Sequence, residues 1–309
     1  MRLKPHQIPR TGDDRPVSTL LAFVWRMSGP HQIWVCLLAA CVAALTMLPL
    51  ELQRRIIDEA LGEADLDALL WLGGAYLAVL LLSGALKFAL RLYQGWLSES
   101  AILYGRRHLL ELQQKRDMDD GEEGRAVSII GAEMDKLGGF VGEGLSQPVV
   151  NAGMLVAIMA YMLSVEPLVA LLGAALLIPQ ALLVPVAQSR INRLIEQRLA
   201  VMRDMSDAIG GQDNETASGR AGDLYGNRIR TFVIKFAMKG LINLMNGLAP
   251  LGVLILGGIM VIRGETSVGI VVAFITGFDR MGSPLRELLA YYRVAAQATV
   301  QHRMIAKWM

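Results

Sequence analysis

The 309-residue sequence is 53% hydrophobic, with 31 glycines and a mean hydropathy of +0.41. So few charges cannot keep that much apolar surface in water, which excludes a soluble protein and points to a large membrane domain. The net charge of +2 says little by itself; where the charges lie says more.

Residues 1–16 are mostly polar, are read as a cytoplasmic tail, and carry no cleavable signal-peptide pattern. Residues 17–30 follow, between Pro16 and the Gly29-Pro30 pair, and predict a short helix lying on the inner leaflet. Leu20, Leu21, Val24 and Trp25 form its apolar side and Arg26 the other. Six apolar stretches come next, at 33–50, 69–86, 141–164, 168–187, 241–262 and 268–285. Each is near the length of about 20 residues that a helix needs to cross the hydrocarbon core. The predicted fold class is therefore an all-α membrane protein with six transmembrane helices.

Charge placement sets the orientation. Only Arg54, Arg55 and Arg263, of 30 lysines and arginines, fall in the loops 51–68, 165–167 and 263–267. The first of these loops holds six acids, Glu51, Asp58, Glu59, Glu63, Asp65 and Asp67. By the positive-inside rule these loops lie outside and both termini are cytoplasmic, in a multi-pass plasma (inner) membrane protein. The two inner segments, 87–140 and 188–240, are long and patterned. Ile130, Met134, Leu137 and Val141 share one helical face, as do Ile191, Leu194, Ile195, Leu199, Met202, Met205 and Ile209. Ile229, Phe232, Val233 and Phe236 lead into the fifth stretch. The membrane helices are expected to continue into the cytoplasm and pack on one another.

Polar residues within the spans are the candidates for a pathway. Asp279 and Arg280 interrupt the sixth stretch, and Ser283 and Arg286 extend the Asp279 face. They read either as the wall of a water-filled cavity or as a structural ion pair to a neighbouring helix. Asn243 and Asn246 in the fifth stretch, Asn151 in the third, and Gln180 and Gln188 around the fourth either bond helix to helix or face a lumen. Lys87 and Arg91 read as side chains reaching the headgroups. Pro179 and Pro185 are expected to bend the fourth span. Cys36 and Cys41 read as packing residues, and His6, His31, His108 and His302 are too scattered for a metal site. No catalytic or cofactor-binding constellation is visible, so the chain is not expected to be an enzyme on its own.

Four stretches add a resemblance. PLELQRRIIDEAL (49–61), GEEGRAVSIIGAEMDKLGGFVGEGLSQPV (121–149), ETSVGIVVAFITGFDRMGSPLRELLAYYR (265–293) and VQHRMIAKWM (300–309) occur in this order and spacing. With the six spans and two long inner hairpins, they resemble the transmembrane domain of an ATP-binding-cassette (ABC) exporter half-transporter, without its nucleotide-binding domain. The resemblance implies the type I exporter fold. It divides the chain into the 1–16 tail, the 17–30 elbow helix, the 31–292 transmembrane domain and a 293–309 helix toward a nucleotide-binding domain. The phosphate-cradling pattern GxxxxGK[ST] is missing, since no lysine here precedes Ser or Thr. The resemblance therefore implies ATP and Mg used through a partner subunit, with no cofactor in this chain.

In such a protein the hairpin tips meet the nucleotide-binding domain. By resemblance these are Arg125, Ala126, Ile129 and Ile130 in the first tip and Arg203, Met205, Asp207 and Ile209 in the second. Each tip is expected to carry a transverse helix with a small apolar knob, Ala126 and Ile129 or Met205 and Ile209, seated in a groove of the partner. The segment 212–226 is polar and glycine-rich, and departs from the amphipathic helix the family places there. Six helices are half of an exporter's twelve, so a homo- or heterodimer is implied, with the bilayer as solvent and no nucleic acid. The expected function is an ATP-driven export subunit; the alternative is a truncated or degenerate membrane domain acting as a non-transporting scaffold or regulator.

Overall fold

A computed structural model describes residues 4–8, 17–114, 126–127, 129–211 and 213–309, without the side chains of residues 172, 176, 177, 180, 181 and 184. The described residues are helical with no strand. The helices are α1 (Leu20–Ser28), α2 (His31–Leu61), α3 (Leu66–Gln114), α4 (Met134–Glu143), α5 (Ser146–Val165), α6 (Pro167–Gly210), α7 (Asn214–Ile262) and α8 (Val268–Trp308). Among the described residues, α2, α3, α5, α7 and α8 are long and apolar enough to cross a membrane. The chain is an all-α, multi-pass membrane protein, and α6 contains the fourth apolar stretch.

Local chemistry explains where these helices begin and bend. The Thr19 hydroxyl accepts from the Ala22 amide and starts α1, while Gly29, at φ +53°, ends it in a conformation glycine adopts without strain. Within α2 the backbone tightens into a 3-10 turn at Leu45–Met47. Pro49 has no amide to return to Leu45, so an ordinary turn cannot close there. Asp65 starts α3 by accepting from the amides of Asp67 and Ala68, at 2.9 and 3.1 Å. Pro167 opens α6 at a position where a missing amide costs nothing.

The third stretch does not form one rod as its composition predicts. It divides into α4 and α5 at Gly144 and Leu145, with a π-helical turn at Ile129–Glu133 before α4. The Ser146 hydroxyl donates to the Gly142 carbonyl at 3.0 Å and accepts from the Gln94 side-chain amide at 2.7 Å. Both bonds are buried, and together they hold the break against α3. Local hydrogen bonding of this kind is invisible to a hydropathy count.

The chain forms two compact units, Met1–Tyr161 with Arg280–Met309, and Met162–Asp279. Among the described residues, the core of the first unit shows three clusters. Val35, Ala39, Val42, Leu90 and Leu97 join α2 to α3. Val24 and Met27 of α1 pack with Ala101, Phe140, Val141 and Ala298, and Ile8 joins them. Leu109, Ile129, Met134, Leu137 and Ile305 close the far end. Residues 4–8 are tied down as well: the Trp96 indole donates to the Lys4 carbonyl at 2.9 Å, and the His6 amide donates to Ser100 at 3.0 Å.

The elbow helix α1 thus has two apolar faces rather than one. Val24 and Met27 are buried in protein, whereas Leu21 and Trp25 are exposed. Spacing found the apolar residues but could not say which of them protein already covers.

In the second unit α6 and α7 form an antiparallel hairpin. The Asn227 side chain donates to the Leu194 carbonyl at 3.0 Å, and Arg220 pairs with Asp204 at 3.5 Å. The polar, glycine-rich segment after the second tip is helical from Asn214 onward. The Asp213 carboxylate caps it by accepting from the Thr216 amide at 3.1 Å, and the Arg220 ion pairs replace the missing apolar anchors. Asp213 is held below the usual carboxylate range, first by its bonding to Thr216.

Candidate functional site

A groove of about 710 Å³ lies in the first unit, walled by α3, α4, α5 and α8 with Val42 of α2. Its volume lies in the range of small-molecule sites. Asn151 and Ser283, both named from the sequence, line it. Ser283, Glu287, Tyr291, Val294, Gln297 and Gln301 present one face of α8 to it, stepping by three or four residues.

The groove is of mixed polarity. Val42, Leu90, Val150 and Met154 supply apolar surface; Lys87, Arg91, Lys136, Glu143 and Glu287 supply charge. Arg91 pairs with Glu143 at 3.3 Å and Lys136 with Glu133 at 3.5 Å. Lys87 and Arg91, assigned from the sequence to headgroup contact, thus stand on the wall of a cavity. A second signal was present in the sequence: Glu143, Gln147 and Asn151 repeat every four residues, as do Lys87 and Arg91. Only the packing of α3 against α4 shows that these rows face each other.

That packing depends on glycine. A Cβ at Gly142 would collide with the Gln94 carbonyl and the Ser98 hydroxyl, and one at Gly138 with Ile102. The Ser98 hydroxyl also donates to the Gly139 carbonyl at 3.3 Å. Small residues let the two helix backbones approach closely.

The other pathway candidates are not among the residues that line this groove. Asp279 is exposed, Arg280 half-buried, Asn243 exposed and Asn246 half-buried. The side chain of Gln180 lies outside the described residues.

At the first hairpin tip the structure revises the assignment. Ala126 and Ile129 are fully buried, and Ile129 packs with Leu109, Met134, Leu137 and Ile305. They anchor the tip to its own unit and are not free to enter a partner's groove. Val127 between them is 69% exposed, and Ile130 is half-buried. Arg125 lies outside the described residues. A residue missed from the sequence holds this tip in place. Arg106 of α3 donates to the carbonyls of Ile130 and Gly131, at 3.2 and 3.3 Å, and to the Asp135 carboxylate at 2.7 Å. An unremarkable basic residue on a long helix gives no sequence signal for that role.

Among the described residues, the second tip carries no transverse helix. α6 runs unbroken to Gly210, and the Gly211 amide donates to the Asp207 carbonyl at 2.9 Å. The Asp213 amide then donates to the Ala208 carbonyl at 2.9 Å, and α7 begins one residue later. Arg203 and Asp207 are exposed, Met205 is half-buried, and Ile209 is 58% exposed at the end of the rod.

Compared with known proteins, the chain matches no protein-family model and no curated protein.

Proposed function

We propose that this chain is a transmembrane subunit of an ATP-driven exporter of the ABC type, working with a nucleotide-binding domain that is not among these 309 residues. The observation that carries the reading is the α6–α7 hairpin. Helices of 44 and 49 residues are far longer than the roughly 20 a bilayer takes. At 1.5 Å per residue, α6 is about 66 Å long, so it extends about 36 Å beyond a core of about 30 Å. α7 begins at Asn214, four positions after α6 ends at Gly210, and both keep apolar side chains exposed beyond the predicted spans. Leu199, Ile209, Val233 and Phe236 are among them.

In this reading the six predicted spans form half of a translocation pathway, and a second chain covers the exposed apolar stripe of the hairpin. Both termini and both tips lie in the cytoplasm, where the positive-inside count places them. Nucleotide-driven closure of the partner domains, with ATP and Mg bound there, pushes on Val127 and Ile209. Arg106 keeps the first tip from yielding under that push.

The test is to solubilise the chain from its native membrane, capture it, and assay the eluate for ATPase activity. A nucleotide-binding partner is expected, and Val127→Asp with Ile209→Asp should release it while leaving the chain folded. A captured chain with no ATPase activity and no such partner would refute the reading. Ile129 is unsuitable for this purpose, because a charge there would disrupt the chain's own core.

A further inference from the structure

The groove of the first unit has a charge balance that points to a class of ligand; the identification of that ligand as cargo rests on the transport reading above. Two of its three cations are already paired, Arg91 with Glu143 and Lys136 with Glu133. Among the described residues, Lys87 on α3 and Glu287 on α8 have no ion-pair partner. One cation and one anion are left to face the cavity.

The groove also spans a polarity boundary. Lys87 and Glu287 lie within two residues of the inner ends of the second and sixth apolar stretches, at Leu86 and Leu285. Val42, Val150 and Met154 fall inside the first and third stretches, at membrane depth. Asn151 and Gln301 line the cavity while only 6% and 3% exposed, and neither has a hydrogen bond among the described residues. Their carboxamide atoms are not sealed in the core but reach accessible space at the groove.

We propose that this groove binds a zwitterionic amphiphile. Lys87 takes the anionic group of its head, Glu287 takes the ammonium, and Asn151 offers hydrogen bonds to the remaining head atoms; Gln301, about 21 Å along α8 from Glu287, lies beyond the reach of that head. The apolar chain lies against Val42, Val150 and Met154. A purely anionic ligand would leave Glu287 facing a like charge, and a cationic one would do the same to Lys87. The head chemistry is that of an amino-phosphate or amino-carboxylate group on an alkyl chain, whether drawn from the bilayer or from solution.

The experiment measures binding of a fluorescent single-chain phosphoethanolamine to the full chain in an uncharged glycoside detergent. An alkyl phosphate and an alkylamine of the same chain serve as singly charged probes. Lys87→Gln should weaken the zwitterion and the phosphate about tenfold and spare the amine. Glu287→Gln should weaken the zwitterion and the amine to a similar degree and spare the phosphate. Both side chains are exposed, so neither change threatens folding.

Equal binding of all three probes, or variants that bind as the unaltered chain does, would overturn the proposal. Lipid extraction identifies the source. Zwitterionic phospholipid that copurifies with the chain, and is depleted from the doubly altered variant, marks a bilayer ligand; probe binding without copurifying lipid marks a soluble one. Because the measurement needs no ATPase, it fails independently of the transport reading. Probe binding without a nucleotide-binding partner would leave a lipid-binding membrane protein. Recovered ATPase without selective binding would leave an exporter of some other cargo.

Discussion

Replacing Gly142 by alanine tests how α3 and α4 are held. The added methyl would meet the carbonyl oxygen of Gln94 and the Ser98 hydroxyl. A backbone atom cannot rotate away, so the helices must separate. Overpacking of this kind costs about 1–3 kcal/mol. Separation also stretches the buried Gln94–Ser146 bond of 2.7 Å and the Ser98–Gly139 bond of 3.3 Å, adding about 0.5–1.5 kcal/mol for each bond lost. With both bonds lost, the expected destabilisation is about 2–6 kcal/mol. Gly139 provides the control, because a Cβ there meets nothing within 4 Å. On the same helix, Gly139→Ala should be neutral or stabilising by up to about 1 kcal/mol from helix propensity. Unfolding of the two variants by dodecyl sulfate, followed by near-ultraviolet circular dichroism, reads the difference. Equal midpoints would refute the close-approach argument for the whole α3–α4 contact.

Further predictions follow from named contacts. Arg106→Gln removes the bonds to Ile130, Gly131 and Asp135, and should accelerate amide exchange across 129–135 while leaving α6 and α7 unchanged; with Arg106 40% exposed, the cost is about 1 kcal/mol. Tyr161→Phe removes a 3.0 Å hydrogen bond to Glu51 and should lower stability by about 1 kcal/mol in the same sulfate titration, with a Glu51→Gln, Tyr161→Phe double variant showing a non-additive loss. Asp213→Ala should speed exchange in the first turn of α7, as acidification does once pH falls through the depressed pKa of Asp213. Docking of residues 4–8 should weaken on acidification. His6 is held below its ordinary 6.5, first by burial and then by His31, whose ring lies 4.6 Å away with Tyr93 and Trp96 alongside. Neutral His6 is therefore favoured in the docked state. The docking energy is complete above about pH 6.5, declines as pH falls through that value, and levels off below the depressed one. Trp96 emission and proteolysis of the tail report it, and a His6→Gln variant should show a flatter profile; pH-independent docking of the unaltered chain would contradict the assignment.

Much of the helical layout was legible in the sequence because it follows from runs of apolar residues. The helix starts at Thr19, Asp65 and Pro167 emerged with the structure. Features set by one helix lying on another were not legible. The break at Gly144 depends on Ser146 meeting Gln94 from a helix some fifty residues earlier. Ala126 and Ile129 read as a tip's exposed knob until Leu109 and Ile305 are seen to cover Ile129. Residues 212–226 read as a departure from an amphipathic helix because their glycines and polar side chains leave few apolar anchors, yet the chain is helical from Asn214, capped by Asp213 and tied by the Arg220 pairs. Of the groove, Asn151 and Ser283 were found as polar residues in apolar surroundings, whereas Lys87 and Glu287 sat where charges are ordinary at a membrane boundary.

The proline positions in the α6–α7 hairpin bear on its mechanics. Pro185 in α6 and Pro250 in α7 each leave the helix one rung short, so bending concentrates there. From Pro185 to Gly210 is about 38 Å, and from Pro250 to Asn214 about 54 Å, at 1.5 Å per residue. The hairpin is thus a lever with fulcra at two different depths. A bend of about 5° at Pro185 alone carries the tip through roughly 3 Å of arc, whereas the same bend at Pro250 carries it through almost 5 Å. Joined within the four positions from Gly210 to Asn214, the two arms cannot sweep unequal arcs freely. They must slide along each other, and the Asn227–Leu194 and Arg220–Asp204 contacts are the friction points where that sliding would register first.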